Sequence, residues 1–230
     1  MPNFTEKLSG FWHWYHDLYN NEWYIEAGLE KFEKKKLQSI ELKDSSLKKF
    51  KKEIENCQKC SLGKTRTNFV FGVGNEKAEL MFVGEAPGKD EDLQGIPFVG
   101  RAGQLLNRLL KHIHLNREDV YIANILKCRP PKNRDPLPEE VEKCLPYLHK
   151  QIELVNPKLL VALGKVAGQN LLKSQFSLSN LRKRIWQYQN IPLIVTFHPA
   201  YILRYPAMLD EALEDMKFIK KELESLHSTG

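Results

Sequence analysis

Apolar residues along this 230-residue chain follow two rhythms. Short continuous runs, of which Leu80-Met81-Phe82-Val83 is the clearest, predict buried strands near 69–73, 79–84, 119–124, 158–163 and 193–197. Between them, apolar positions recur every three to four residues and predict helices near 101–114, 138–154, 164–173 and 207–227. The first of these has Leu105, Leu106, Leu109, Leu110 and Ile113 on one face. The last aligns Leu209, Leu213, Met216, Ile219, Leu223 and Leu226 in an amphipathic stripe. Strands alternating with helices imply an α/β domain whose mostly parallel sheet is covered on both faces.

Upstream of residue 57 the pattern changes. Phe11, Trp12, Trp14, Tyr15, Tyr19, Trp23 and Tyr24 crowd together, and Lys34-Lys35-Lys36 and Lys48-Lys49-Phe50-Lys51-Lys52 follow. Residues 1–56 are therefore read as a helical, aromatic and lysine-rich extension, and 57–230 as the main domain. The extension could grip DNA or a protein partner, with aromatics stacking on bases. Aromatics at helical spacing more often form core, so a helical layer with a solvated basic face is the favoured reading.

The formal net charge of +6 suits a polyanionic partner, although much of the excess lies in the lysine-rich stretch. No apolar run approaches the ~20 residues that span a bilayer. The N-terminus lacks the apolar core of a secretory signal, so the expected compartment is the cytoplasm, with no membrane partner.

Chemistry concentrates where predicted strands end. Gly84 to Leu106, GEAPGKDEDLQGIPFVGRAGQLL, links a strand to a helix through five glycines, three adjacent acids (Asp90, Glu91, Asp92) and Phe98. A long loop at the C-terminal end of a strand is where open α/β sheets bind ligands. Asn124 stands near the end of another strand and offers both a donor and an acceptor. The basic, proline-stiffened loop Arg129–Pro136 leaves the same edge. His198 follows a further strand, and Pro199 fixes the chain direction behind it. Glu85, Glu91, Phe98, Asn124 and His198 are thus expected to share one crevice.

Four cysteines complete the inventory: Cys57-x-x-Cys60, Cys128 at the end of a strand read as Val120–Lys127, and Cys144 on the inner face of a helix. A C-x-x-C pair supplies two corners of a metal or cluster site, and two cysteines from other elements can supply the rest. Spacing alone leaves zinc and iron–sulfur both open.

On these residues the chain resembles the family 4 uracil-DNA glycosylases, the iron–sulfur branch of their superfamily. The resemblance covers about residues 57–225 and rests on the Gly84–Leu106 stretch, NILKCRPPKNRDP, FHPAYILR and the cysteine pattern. It implies a three-layer α/β/α sandwich on a four-stranded, mostly parallel sheet, with the extra N-terminal helical arm outside it. It also implies a 4Fe–4S cluster on Cys57, Cys60, Cys128 and Cys144, with zinc the alternative, and monofunctional excision of uracil from double- or single-stranded DNA. Phe98 would stack on the flipped uracil, Asn124 would bond its Watson–Crick edge, Glu91 would stand near C5, and His198 would face O2, with Ala86 lining the same site. Arg101, Arg129, Lys132 and Arg134 would meet DNA, and a loop Pro199–Tyr205, with Leu203 or Arg204 at its tip, would enter the duplex.

One departure matters. Where family 1 has G-Q-D-P-Y, this chain has Gly84-Glu85-Ala86-Pro87-Gly88, so Ala86 cannot act as base: either Glu85 takes that role, the favoured reading, or cleavage is largely dissociative and the water needs little activation. No inserted basic loop of the covalently trapping branch is present, which favours turnover, and the enzyme is expected to act as a monomer. The competing reading is a non-catalytic nucleic-acid-binding module with a structural metal.

Overall fold

The protein is described from a computed structural model over residues 46–228. The aromatic cluster and Lys34-Lys35-Lys36 of the N-terminal extension lie outside the described residues. Six strands form one sheet in the order β1-β3-β2-β4-β6-β5. They are β1 (Val73–Gly74), β2 (Leu80–Gly84), β3 (Tyr121–Asn124), β4 (Leu159–Leu163), β5 (Ile185–Tyr188) and β6 (Ile191–Thr196). The four central strands, β3-β2-β4-β6, are parallel, as the resemblance implied. β1 and β5 add an antiparallel strand at each edge.

The sheet shape follows from its sequence. Every residue of β2, β3 and β4 is buried, as expected for strands covered on both faces. Met81, Val83, Tyr121, Ala123, Leu160, Ala162, Leu193 and Val195 share one core cluster with residues of α1 (Ser46–Ile54), α5 (Pro138–Val155), α6 (Lys165–Leu172) and α7 (Leu178–Leu181). The alternating residues Phe82, Ile122, Val161 and Ile194 are equally buried and point to the opposite face. There α4 (Arg101–His112) buries Leu105, Leu106, Leu109 and Leu110, and it touches α9 (Leu209–Ser228). The result is a three-layer α/β/α sandwich.

Helix α1 is the last part of the segment read as an extension. Its Leu47 and Ile54 are buried in the main core cluster, and Phe50 packs edge-on against Phe71 and Tyr147. No helix among the described residues is long and apolar enough to cross a membrane.

Three boundaries differ from the sequence reading. The first predicted strand, 69–73, shrinks to Val73–Gly74. Strand β3 stops at Asn124 rather than at Lys127, so Cys128 lies in a following loop. Pro199–Tyr205 is not an open loop: Pro199–Arg204 forms the short helix α8, with Pro199 at its first position, where the missing N–H is harmless.

The topology creates a crevice. From β2 the chain pairs β3 on one side and later β4 on the other, so connections diverge over the C-terminal end of β2. Open α/β sheets bind ligands at such switch points. The register aligns Gly84 with Asn124 and Leu163 with Thr196, which brings the Glu85, Asn124, Gly164 and His198 segments to one edge.

Candidate active site

At that edge lies a cleft of about 620 Å³, bordered by Glu85, Ala86, Glu91, Phe98, Asn124, His198 and Arg204 among others. Residues separated by more than a hundred positions therefore meet, as the strand ends predicted. Arg134 also borders the cleft, together with Lys165 and Asp135, which the sequence reading passed over.

Asn124 is 2 % exposed, and its Oδ1 has no hydrogen-bond partner among the described residues. A buried amide oxygen without a donor is unfavourable by about 1–3 kcal/mol, and native proteins seldom leave one. Its neighbour in the sheet explains how the ring of Phe98 comes so near. Gly84 has no side chain, and a Cβ there would collide with both Asn124 Oδ1 and the tip of the Phe98 ring. The Phe98 ring centroid lies 5.6 Å from that of His198.

Glu91 stands at the third position of α3 (Lys89–Gln94). One carboxylate oxygen accepts from Gly88 N at 3.1 Å; the other accepts from Val99 N and Gly100 N, both at 3.0 Å. It borders the cleft while pinning the loop that carries Phe98. Asp92, the next residue, is committed to architecture: its carboxylate accepts from Thr67 N and Asn68 N.

Two groups carry shifted proton affinities. Burial, reinforced by Asp135, raises the Glu85 carboxyl to about 7, and Arg204 acts against that rise. Burial and then Arg204 hold His198 down to about 4. His198 Nδ1 accepts from Ala200 N at 3.1 Å and so caps α8. An accepting Nδ1 leaves the ring proton of the neutral imidazole on Nε2.

The predicted DNA contacts divide. Arg204 is exposed and Leu203 half-buried on α8; Arg101 is exposed at the start of α4, and Lys132 is exposed in the proline-stiffened loop. Arg129 Nε donates to Asn133 Oδ1 at 2.8 Å inside that loop. Arg134 is turned to Glu140, donating through Nη1 at 2.9 Å and Nη2 at 2.6 Å. It anchors the loop to the start of α5.

The four cysteines gather apart from the cleft. Cys57 and Cys60 precede α2 (Leu62–Thr65), Cys128 follows β3, and Cys144 is buried in α5. The Cys128 thiol feels Cys60 and Cys57, and the Cys144 thiol feels Cys128 and Cys60, so all four are electrostatic neighbours. Donors surround them. Arg66 donates to Cys128 Sγ at 3.1 Å, Tyr147 Oη to Cys57 Sγ at 3.2 Å, and the Lys127 backbone N–H to Cys144 Sγ at 3.3 Å. Among the described residues, no three His, Cys, Asp or Glu side chains converge closely enough to hold a single metal ion.

Comparison with known proteins decides the family. The family model described as "Uracil DNA glycosylase superfamily" matches residues 71–221. A protein of Archaeoglobus fulgidus named "Type-4 uracil-DNA glycosylase" is 50% identical over 182 residues, covering 76% of this chain and 92% of that protein. Proteins of the same name are similar at 44% identity in Sulfurisphaera tokodaii (76% of this chain, 84% of that protein) and 42% in Thermotoga maritima (74% and 92%). The chain belongs to the uracil-DNA glycosylase superfamily, in its type-4 branch. Membership in this superfamily gives the cleft its context: the switch point of the sheet, the buried amide and the helix-capping imidazole stand together in a glycosylase fold.

Proposed function

We propose that this protein removes uracil from DNA by hydrolysing the N-glycosidic bond of a flipped nucleotide, leaving an abasic site. One observation carries the reading: the buried Oδ1 of Asn124, without a partner among the described residues, beside the ring of Phe98 in a cleft that also holds His198. A base must leave the stack before its glycosidic bond can be reached. Phe98 offers such a base an aromatic face. Asn124 Oδ1 needs a donor, and the N3–H of uracil is one; the N3 of cytosine carries no hydrogen.

Breaking the bond leaves negative charge on the uracil O2. The Nε2–H of a neutral His198 is the donor for it, and a donor of this kind contributes roughly 3–4 kcal/mol. Glu85, poised near neutrality, orients the attacking water as its carboxylate. Glu91, held rigid by three backbone amides, walls the site where the methyl of thymine would intrude, and Ala86 lines it. Arg101, Arg129, Lys132 and Arg204 meet phosphates, Leu203 occupies the space left by the base, and Arg134 keeps the basic loop in place.

Cys57, Cys60, Cys128 and Cys144 are proposed as ligands of a 4Fe–4S cluster. An all-thiol donor set ringed by N–H and O–H donors suits an anionic cluster. When bound, it would staple 57–68 to 128–144.

The deciding experiment is incubation with a uracil-containing oligonucleotide followed by alkali. Strand scission at the uracil is the expected result. An intact strand at stoichiometric protein would leave only a nucleic-acid-binding module.

A further inference from the structure

Phe98 sits on a backbone that phenylalanine rarely adopts. Its φ of +52° lies in the left-handed region, which favours glycine and, among other residues, Asn and Asp. Such a conformation persists only where the surroundings impose it. Here the surroundings are two charged side chains from different elements.

On the carbonyl side stands Arg117, in the turn that precedes β3. Its Nη1 donates to Phe98 O at 2.9 Å and to Asn107 Oδ1 at 3.4 Å, and its Nη2 donates to Pro97 O. On the amide side, Glu91 accepts from Val99 N and Gly100 N. Behind them Gly103 leaves room, since a Cβ there would collide with the Phe98 carbonyl. The peptides on either side of Phe98 are thus gripped by a cation and an anion. The grip uses guanidinium geometry: a planar fork spans two successive carbonyls, which a point-like ammonium cannot do. Burial lowers the proton affinity of Arg117, and Glu118 and then Glu91 oppose that.

We propose that Arg117 is a positioning residue for base excision. It holds Phe98 in the left-handed conformation that sets the ring beside Asn124 and His198, and it acts on the base only through that ring. The inference rests on the glycosylase reading above.

The test is a double-mutant cycle in the full chain: wild type, Arg117→Met, Phe98→Ala and the pair. Single-turnover excision at saturating enzyme, DNA affinity and thermal melting are measured for each. Misplacing a positioning group by about 1 Å can lower a rate by up to ~100-fold. Arg117→Met should therefore slow excision about ten- to a hundredfold, with DNA affinity unchanged, because phosphate contacts dominate it. In the Phe98→Ala background it should cause no further loss. Arg117→Lys should recover part of the rate, and it keeps the test usable if Arg117→Met fails to fold. Equal losses in both backgrounds, or a lowered melting temperature with an unchanged rate, would overturn the proposal. A crystal structure of the Arg117 variant that still held Phe98 at positive φ with its ring in place would overturn it whatever the activity. Failure of the wild type to cut uracil-DNA would instead count against the glycosylase reading.

Discussion

The cleft and the cysteine corner sit at opposite ends of one short segment, Asn124 to Cys128, and they are finished in opposite ways. At the cleft end a buried amide oxygen has no donor among the described residues, and Glu85 and His198 are displaced from their ordinary proton affinities. At the corner, Cys57, Cys128 and Cys144 each accept from a nearby donor, and Arg66 ties Glu55 O, Cys57 O and Cys128 Sγ together. A surface prepared for a transient guest keeps its polar groups unspent; one that only holds chain segments together saturates them. Lys127 joins the two: its fully buried ammonium donates to Asn124 O at 2.7 Å, while its backbone N–H serves Cys144.

Damage to each end should therefore have mirror-image consequences. The largest effect should come from Asn124→Asp, which preserves volume and an accepting oxygen but replaces the amide NH2 that would donate to a base carbonyl on the proposed reading. Excision should fall about 10²–10³-fold, with an unchanged melting temperature. Unchanged excision would remove Asn124 from base recognition. Cys128→Ala should do the reverse. It should abolish absorbance near 400 nm and bound iron and lower the melting temperature by about 5–10 °C, as expected for a few kcal/mol in a domain of this size. Excision per folded molecule should remain close to wild type. A large fall in that ratio would mean the corner takes part in the chemistry.

Smaller effects sharpen the cleft side. The raised proton affinity of Glu85 predicts excision that climbs with pH through a midpoint near 7, and a flat profile for Glu85→Gln. The linkage has a definite sign. Between the ordinary glutamate range and about pH 7, the folded protein keeps a proton that the unfolded chain releases, so stability falls as pH rises through that window. Glu85→Gln should lose this dependence; a sloping rate profile in that variant would clear Glu85 of the base role. The smallest effects should separate two arginines at the rim. Arg204→Ala should weaken DNA binding and reduce the salt slope by about 1. Arg134→Ala should leave the slope unchanged, because its guanidinium is already met by Glu140.

The sequence exposed most of this arrangement, for identifiable reasons. The four parallel strands are continuous apolar runs because both faces are buried, so burial itself wrote them into the chain. β5 escaped notice because Ile-Trp-Gln-Tyr, at an edge, is partly exposed and follows Arg182-Lys183-Arg184. Phe98, Asn124 and His198 were legible because each lies near the end of a recognisable strand or in the long loop that follows one. Arg117 was not. In Asn116-Arg117-Glu118-Asp119 it reads as an ordinary surface charge, and only the tertiary fold carries it to the carbonyl of Phe98. Glu91 was read as a wall against the thymine methyl; its hold on Gly88 N is the reach-back of a glutamate at the third helical position, a local signal, whereas its bonds to Val99 and Gly100 depend on the loop's return.

The hydrogen bond from Ala200 N to His198 Nδ1 gives position 198 two duties. The nitrogen that accepts this bond is also the one a proton would take in acid. Charging the ring would therefore remove this cap from the first turn of Pro199–Arg204 at the same moment that it turned a neutral ring into a cation. An asparagine at 198 could still start that turn, but it would offer a shorter reach into the cleft. On the proposed reading the residue is thus constrained from both sides of its ring: one nitrogen starts the helix and the other serves the base.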